Sequence, residues 1–252
     1  MGPLALFRGR RRSALLLVAS GAIVIGPIPA TVAAAAPDPV VLVHGYRGSP
    51  GTWADMKRYL EAQGRIVVAI DLPSQDNVVN ARAINDLIVG RGWKNVDLVG
   101  QSMGGLSARH FVKFLVSNGI SVRSYVSLGT PHYGITAACF LPGSYGGQMC
   151  PWSGFLSRLN NGDDTPGETV WTTIFSTSDE YVPPSAARLD GGACHVEFQG
   201  VRHNDMDNHA GIMTATATGL DGGCAGSVQK VVGTAGDRPP RAPIGAGDVP
   251  DM

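Results

Sequence analysis

The segment Val96–Gly104, which reads Val-Asp-Leu-Val-Gly-Gln-Ser-Met-Gly, joins a short apolar run to a Gly-x-Ser-x-Gly pattern. A stretch with helical character, Leu106–Val116, comes after it. A serine in this pattern, between a strand and a helix, sits on a strained turn where flanking side chains would collide with neighbouring backbone. So short a pattern also arises by chance in a glycine-rich chain. The strand-then-helix context nevertheless predicts that Ser102 is a nucleophile, exposed at the carboxyl end of a sheet.

The amino-terminal region has the composition of an export signal. Four arginines between residues 8 and 12 precede an apolar run, and Ala33–Ala36 offers small-residue cleavage sites. We therefore predict a secretory signal peptide over residues 1–36. Two prolines interrupt the apolar run well short of the roughly 20 residues that a membrane span needs, which disfavours an anchor. The arginines leave the twin-arginine export route open.

The rest of the chain is predicted to be one domain with a tail. Residues 1–36 hold four of the twenty basic side chains and none of the twenty acidic ones, so the remainder carries a net charge of −4. That balance does not suit nucleic acid. Residues 37–224 are enough to bury a core of their own. After about Gly222 the chain turns to Gly, Ala, Pro and Asp, and we predict a disordered tail over residues 225–252.

Four cysteines remain after the predicted signal, and they indicate two disulfide bonds formed in an oxidising compartment. Three pairings exist. We favour Cys139 with Cys150, which closes a loop rich in Gly and Pro, and Cys194 with Cys224, which ties the last strand to the segment after the last helix. A zinc site is the alternative, disfavoured because the chain has no Cys-x-x-Cys pair.

Strand-like and helix-like segments alternate along the domain. Apolar runs predict six strands, at residues 39–43, 65–70, 96–100, 122–128, 170–175 and 196–198. Helical spacing lies between them, as at residues 52–63 and 77–89. Repeated βα units imply a mostly parallel sheet with right-handed crossovers and helices on both faces. Six strands in this length predict the α/β class, as a small α/β-hydrolase fold.

A nucleophilic serine needs a base and an acid that orients the base. In this fold both come after the serine, the acid first. Asp179 comes just after the fifth predicted strand and is the candidate acid, whereas Asp163 and Asp164 lie in a polar turn. Two histidines, His203 and His209, come after the last predicted strand as candidate bases. The remaining histidines precede the acid or begin a strand, and are poorer bases: His44, His110, His132 and His195.

An oxyanion hole is expected from two backbone N–H groups. One belongs to the residue after the serine, Met103. The other comes from the loop after the first strand, His44–Gly48, where Gly45 permits a sharp turn and Tyr46 is our second donor. A plain tight turn is the alternative interpretation of His44-Gly45.

Six segments, in this order, make the chain similar to the small secreted bacterial triacylglycerol lipases, lipase class 2. They span residues 38–224 and lie at 41–45, 99–105, 128–132, 155–163, 178–184 and 188–203. The resemblance implies carboxylic-ester hydrolysis with no cofactor for the chemistry, and we assign no metal-binding residue. The family's Gly-x-x-His pattern aligns on Gly200–His203 without a gap, whereas His209 needs an insertion. We therefore favour His203 as the base, although His209–Met213 itself resembles the family's segment that begins at the catalytic histidine.

Residues 134–168 form a long insertion with many apolar side chains. Such a segment suits a lipid-facing flap or an acyl groove. A disulfide-pinned surface loop that packs on its own aromatic residues is an equal alternative. The shortest relatives lack a cysteine-closed loop of this kind, so their substrate range is not carried over.

The sequence therefore predicts a secreted, extracellular serine lipase. We expect a monomer that meets its lipid or ester substrate at an oil–water interface, without nucleic acid and without a membrane span. A short-chain carboxylesterase or polyesterase with the same triad is the second interpretation. A non-catalytic binding module is the third, disfavoured because it requires a broken triad. A serine peptidase or acyltransferase would share the chemistry.

Overall fold

The computed structural model describes residues 37–116 and 119–228, together with Gly2. Apart from Gly2, the predicted signal peptide lies outside the described residues, and so does the predicted tail from residue 229 onward. In the part of the chain that is described, no helix is both long and apolar enough to cross a membrane.

The described residues form one seven-stranded sheet. Its strands are β1 (Val40–Val43), β2 (Val67–Ile70), β3 (Asn95–Gln101), β4 (Ser121–Leu128), β5 (Val170–Ser176), β6 (Cys194–Phe198) and β7 (Ser227–Val228). They lie in the order β2-β1-β3-β4-β5-β6-β7, with every neighbouring pair parallel except β6 and β7. The predicted α/β class and mostly parallel sheet are confirmed, with one strand more than the six expected.

The additional strand, β7, falls in the segment that was assigned to the tail. Its two residues pair antiparallel with Cys194 and His195. The disulfide between Cys194 and Cys224 holds the chain beside β6 just before β7 begins, so the pairing follows from the cross-link. A strand of two residues shows no alternation of apolar and polar positions, which is why the sequence pattern did not indicate it.

Six α-helices lie in the described residues: α1 (Ala54–Glu61), α2 (Asn77–Gly90), α3 (Met103–His110), α4 (Gly154–Leu159), α5 (Pro184–Ala187) and α6 (Ala210–Leu220). The helices predicted at residues 52–63 and 77–89 are confirmed with small shifts of their ends. A 3-10 turn, Pro50–Trp53, precedes α1. The helix after the serine starts at Met103, three residues earlier than expected, and continues into a π-helical turn at Phe111–Leu115.

The core lies on both faces of the sheet, as the continuous apolar sequence of β1 predicts. Val40 and Leu42 pack in the cluster that contains residues of α1 and α6. Val41 and Val43 pack in the cluster that contains residues of α2 and α3. Successive side chains of a strand point to opposite faces, so one apolar run serves both layers. The carboxyl ends of β1 and β3–β6 are thereby left along one edge, where the loops begin.

Both favoured disulfides are present, Cys139–Cys150 and Cys194–Cys224. The zinc alternative is wrong, because all four cysteines are cross-linked. Across residues 37–116 and 119–228, no group of three or more His, Cys, Asp and Glu side chains is placed to hold a metal ion.

Replacing both Cys194 and Cys224 by alanine is expected to lower the free energy of unfolding by about 3–4 kcal/mol. The pair is 30 residues apart, and a long closed loop restricts the unfolded chain strongly. Replacing both Cys139 and Cys150, which are 11 residues apart, is expected to cost about 1 kcal/mol less. Urea unfolding of the parent and the two double variants measures the difference. Equal losses from the two pairs would contradict the expectation.

Candidate active site

Ser102 lies on a sharp turn between β3 and α3. Its backbone has a φ of 53° and a ψ of −128°, a conformation that costs a non-glycine residue about 1–3 kcal/mol. Its N–H donates to the carbonyl oxygen of Leu128 at the end of β4, at 2.9 Å. The serine stands at the N-cap position of α3, but its side chain makes no capping hydrogen bond. The hydroxyl is therefore not committed to holding the helix end.

The backbone is crowded on both sides of the serine. A Cβ at Gly100 would lie 2.5 Å from the Cα of Gly105, and a Cβ at Gly104 would overlap the carbonyl oxygens of Val43 and His44. These neighbours are main-chain atoms, which cannot move aside as the end of a flexible side chain can. The collision that the Gly-x-Ser-x-Gly pattern predicts is confirmed, and the turn has the expected strand-then-helix context.

The structure brings together the predicted acid and one of the two candidate bases. Asp179 follows β5, and His203 follows β6 in a short 3-10 turn. The Nδ1 of His203 lies 2.7 Å from Oδ2 of Asp179. The other carboxylate oxygen accepts the N–H groups of Tyr181 and Val182, each at 2.9 Å. The aspartate side chain is fully buried, so these three hydrogen bonds fix its orientation.

Gly129, at the end of β4, packs directly against this pair. Its φ is 52°, and a Cβ there would lie 2.9 Å from Oδ2 of Asp179 and 3.2 Å from Nδ1 of His203. A side chain at this position would press on the bond between acid and base. Sequence reasoning did not single out Gly129, although the segment at residues 128–132 contributed to the resemblance.

His209 lies elsewhere, at the start of α6. Its Nδ1 accepts the N–H of Ile212 at 3.4 Å, as an N-cap side chain does. Its ring packs edge-on against Phe198, with centroids 5.6 Å apart. Of the two candidate bases, only His203 is hydrogen-bonded to Asp179.

His44 shapes the loop that carries Tyr46. Its ring is buried, its Nε2 accepts the N–H of Leu72 at 3.2 Å, and its Nδ1 lies 3.0 Å from the carbonyl oxygen of Gly45. These two bonds require the tautomer in which Nδ1 carries the proton. The sequence marks His44 as a poor base and as the first residue of the loop expected to carry an oxyanion donor. Its position in the structure is that of a brace for the loop after β1.

The two residues expected to donate to an oxyanion are both near the serine. Met103 is the first residue of α3, where backbone N–H groups lack an intrahelical acceptor. The loop of Tyr46 adjoins the serine, since a Cβ at Gly45 would lie 2.9 Å from the Cβ of Ser102. Among the backbone hydrogen bonds of the described residues, none uses the N–H of Tyr46 or of Met103. Both N–H groups are thus without a main-chain acceptor in the described residues.

A cavity of about 590 Å³ opens beside the serine and the histidine, since Ser102 and His203 both line it. The loop Gly45–Gly48 forms part of its wall. Most of the remaining lining is apolar: Ile135, Ala137, Ala138, Leu141, Met149, Tyr181 and Val182. Ser102 and His203 therefore border a space suited to an apolar ligand with one polar centre.

The insertion at residues 134–168 supplies much of this apolar lining. Its segment around the first disulfide is fastened to α2 through Gln148, whose Oε1 accepts the backbone and side-chain N–H groups of Asn77 at 2.7 and 2.9 Å. The Nε2 of Gln148 donates to Asp76 at 2.9 Å. Phe140, in the same segment, is 90% exposed. The insertion is thus partly wall of the cavity and partly exposed rim.

Arg109 and Asp164 form a buried ion pair that sequence reasoning missed. The Nη2 of Arg109 lies 2.8 Å from the carboxylate of Asp164, and its Nη1 donates to Asn160 at 2.6 Å. The hydroxyl of Tyr133 donates to the same carboxylate at 2.8 Å. The expectation of a polar surface turn at Asp164 is wrong, because this carboxylate is buried against α3. The available signal was an arginine that follows a run of apolar or small residues in α3.

Replacing Gly104 by alanine is expected to lower the free energy of unfolding by at least about 3 kcal/mol, because the new methyl group would overlap two carbonyl oxygens. Gly90, at the end of α2, provides the control, since a Cβ there meets no atom within 4 Å. Gly90→Ala is expected to leave stability unchanged or to raise it by up to about 1 kcal/mol. Thermal unfolding of both variants checks this, and equal stabilities would show that the turn at Ser102 is not crowded.

Comparison with known proteins agrees with this architecture. A family model described as the alpha/beta hydrolase family matches residues 40–221. Lipase B of Aspergillus fumigatus superposes with a TM-score of 0.59 at 20% identity, over 76% of this chain and 54% of that protein. The lin2722 gene product of Listeria innocua gives 0.56 at 14% identity, over 73% and 94%. Carboxylesterase CesB of Bacillus subtilis gives 0.52 at 14% identity, over 74% and 85%.

These likenesses between solved structures and this protein show a shared fold. The chain spans about half the length of the Aspergillus lipase and most of the length of the other two proteins. The family match runs from the first strand to the end of α6 and includes the serine, the aspartate and the histidine described above. The chain therefore belongs to the alpha/beta hydrolase family.

Proposed function

We propose that this protein is a secreted serine hydrolase that cleaves carboxylic esters through an acyl-enzyme, with acylglycerols as its preferred substrates. One observation carries the proposal. Ser102, on its strained turn, lines the same cavity as His203, whose ring is held by Asp179 at 2.7 Å. A serine hydroxyl becomes a useful nucleophile when an adjacent base is oriented in this way by a carboxylate.

In the proposed reaction, the Nε2 of His203 takes the hydroxyl proton of Ser102 as Oγ attacks the ester carbonyl. Asp179 holds the ring through Nδ1 and stabilises the imidazolium that forms. The alcohol leaves with the proton from Nε2. Water then gives a proton to the same nitrogen as it attacks the acyl-enzyme, and the acid leaves from the regenerated serine. A base positioned in this way typically contributes about 10²–10⁴ in rate.

The negative oxygen of each tetrahedral intermediate would be bound by the N–H groups of Tyr46 and Met103. Their positions near the serine, in the loop after β1 and at the first turn of α3, support this assignment. Removing one such donor typically costs about 10²–10³ in rate. Since both donors belong to the backbone, side-chain substitution would not remove these hydrogen bonds. At Tyr46 it would change the cavity wall, and at Met103 it would change the core.

The apolar cavity and its exposed aromatic rim support a lipid substrate. Phe140 is 90% exposed and lies between Ala138 and Leu141, which both line the cavity. Tyr181, also in the lining, is 57% exposed. Exposed apolar groups gathered beside an apolar cavity are typical of a surface that meets apolar ligands or membranes. We therefore place the substrate at an oil–water interface.

A short-chain carboxylesterase or polyesterase is the second candidate, and one observation favours it. The segment between Cys139 and Cys150 is closed by a disulfide and bonded to α2 through Gln148. A segment fastened in this way is poorly suited to swing aside at a lipid surface. An enzyme with such a fixed rim would act on soluble esters without preferring an emulsion.

Extracellular location belongs to the same proposal. Two disulfides that leave no cysteine free fit an oxidising compartment. The arginines and apolar run within residues 1–36 support export. The proposed chemistry uses the hydroxyl, imidazole, carboxylate and backbone groups already named, and calls for no cofactor.

The proposal is tested by initial rates on p-nitrophenyl esters with acyl chains from C2 to C16 and on emulsified triglyceride. Activity on long chains and on the emulsion is expected. Ser102→Ala and His203→Ala are each expected to lower kcat by about 10⁶, because they remove the nucleophile or its base. His209→Ala is the matched control, expected to retain kcat and to lose about 1 kcal/mol of stability with its helix cap.

Other outcomes would contradict parts of this proposal. Activity confined to short soluble esters would make the protein an esterase. Loss of activity in His209→Ala but not in His203→Ala would make His209 the base. If the parent cleaved no ester, the hydrolase proposal itself would fail.

Replacing Phe140 by serine is expected to lower the rate on emulsified triglyceride by roughly tenfold, because burying a phenylalanine in an apolar phase contributes about 1.5–3 kcal/mol. The rate on a soluble short-chain ester should stay unchanged. Phe114→Ser is the control: Phe114 is also exposed, but none of its chain neighbours lines the cavity, whereas Phe140 lies between the lining residues Ala138 and Leu141. Equal effects of the two substitutions on the emulsion rate would count against an interface role for Phe140.

A further inference from the structure

His203 is held by its backbone as well as by its ring. Its N–H donates to Oε2 of Glu180 at 3.0 Å, and its carbonyl oxygen accepts from Nε2 of Gln101 at 3.1 Å. Together with the bond from Nδ1 to Asp179, the residue is fixed at three points. All three partners are side chains.

The two side chains that bond to the main chain of His203 belong to residues adjacent in sequence to Ser102 and Asp179. Gln101 directly precedes Ser102 and is the last residue of β3, where it is buried. Glu180 directly follows Asp179. The residue beside the nucleophile and the residue beside the acid thus each hold one side of the peptide segment that carries the base. Displacement of that segment from the serine would stretch the bond to Gln101, and displacement from the acid would stretch the bond to Glu180.

The segment needs such support because it is short. His203 begins a three-residue 3-10 turn, His203–Asp205, and the preceding residues Val201 and Arg202 belong to neither a helix nor a strand. A base must stay within about 2.6–3.2 Å of the proton it removes. Misplacement of a reacting group by about 1 Å costs roughly 10²-fold in rate. Side-chain bonds to the main chain supply here the rigidity that a regular element would otherwise supply.

We propose that Gln101 and Glu180 are positioning residues that clamp the backbone of His203 and so set the distance from its Nε2 to Oγ of Ser102. This rests on the proposed function, in which His203 is the base. It assigns a task to the first variable position of the Gly-x-Ser-x-Gly pattern, which joins the serine turn to the histidine loop. Gln101 also lines the cavity, whereas Glu180 does not; in this role both residues act through the main chain of His203.

Glu180 has a second feature that the test must separate from the clamp. It is exposed, and the hydrogen bond from the N–H of His203 lowers the pKa of its carboxyl group, so it is ionised at neutral pH. Arg202 lies 3.4 Å from it. A negative charge near an imidazolium would stabilise it without any clamp. Glu180→Gln distinguishes the two, because the carboxamide keeps an oxygen acceptor for the N–H of His203 but removes the charge.

The experiment compares Gln101→Met, Glu180→Leu and Glu180→Gln with the parent on a soluble p-nitrophenyl ester. Gln101→Met and Glu180→Leu are expected to lower kcat by about 10- to 100-fold, because the base is displaced. In Glu180→Leu, KM is expected to stay within about twofold of the parent, because Glu180 does not line the cavity. Glu180→Gln is expected to restore kcat to within about threefold of the parent. Glu197→Leu is the control and should leave kcat unchanged. Glu197 lies on β6 and forms an exposed ion pair with Arg188.

A second measurement does not depend on activity. The low-field proton resonance of the His203 Nδ1–H, bonded to Asp179, is expected to be sharp in the parent and in Glu180→Gln. It should broaden or shift in Gln101→Met and Glu180→Leu, whose melting temperatures are recorded alongside to show that they are folded. The backbone amide of His203 should exchange with solvent faster in Glu180→Leu than in the parent.

The outcomes separate the two proposals. Parent-like kcat and resonance in folded Gln101→Met would overturn the clamp. Glu180→Gln as impaired as Glu180→Leu would overturn the assignment of Glu180 and leave charge as its contribution. If the parent cleaves no ester, the proposed function fails, while the resonance and amide exchange still decide whether the two side chains hold His203.

Discussion

The close approach of α3 to the end of β1 is the constraint on which the site depends. The carbonyl oxygens of Val43 and His44 occupy the place that a side chain at Gly104 would need. This contact brings the first turn of α3 against the end of β1, next to the loop that contains Tyr46. The strained backbone of the serine, at a cost of about 1–3 kcal/mol, persists because core packing on both faces of the sheet holds its neighbours in place.

The rest of the site is assembled from strand ends. Tyr46 follows β1, Ser102 follows β3, Gly129 follows β4, Asp179 follows β5 and His203 follows β6. In parallel sheets the loops at the carboxyl ends of the strands share one edge, where ligands bind. These residues are far apart in sequence, but each comes only a few positions after the end of its strand, and so they lie along the same edge. The side chains of the loops then complete the arrangement that the sheet begins, as the hydrogen bonds to the main chain of the histidine illustrate.

Most of the sheet and the serine turn could be predicted from local sequence. Runs of apolar residues indicate buried strands, and the glycines on both sides of Ser102 indicate a turn without room for side chains. Chain order sufficed to place Asp179. The Gly-x-x-His alignment favoured His203 over His209, but chain order did not separate them, since both come after the last predicted strand. Packing puts His203 on Asp179 and His209 at a helix end. The burial of Asp164 depends on Arg109, and β7 depends on a disulfide. Contacts between residues so far apart in the chain leave no periodic pattern in the sequence from which they could be predicted.

The buried ion pair of Arg109 and Asp164, in and beside the helix after Ser102, also limits which fragments of the chain could fold. A guanidinium taken out of water without partners costs several kcal/mol. The partners of Arg109 on the far segment, Asn160 and Asp164, lie 51 and 55 residues later in the chain. A fragment that ended before residue 160 would contain Ser102 and its whole turn, yet the helix beneath the serine would have to bury an uncompensated charge. The serine turn is therefore encoded locally, but the helix that follows it is compensated only by residues from well beyond the middle of the domain.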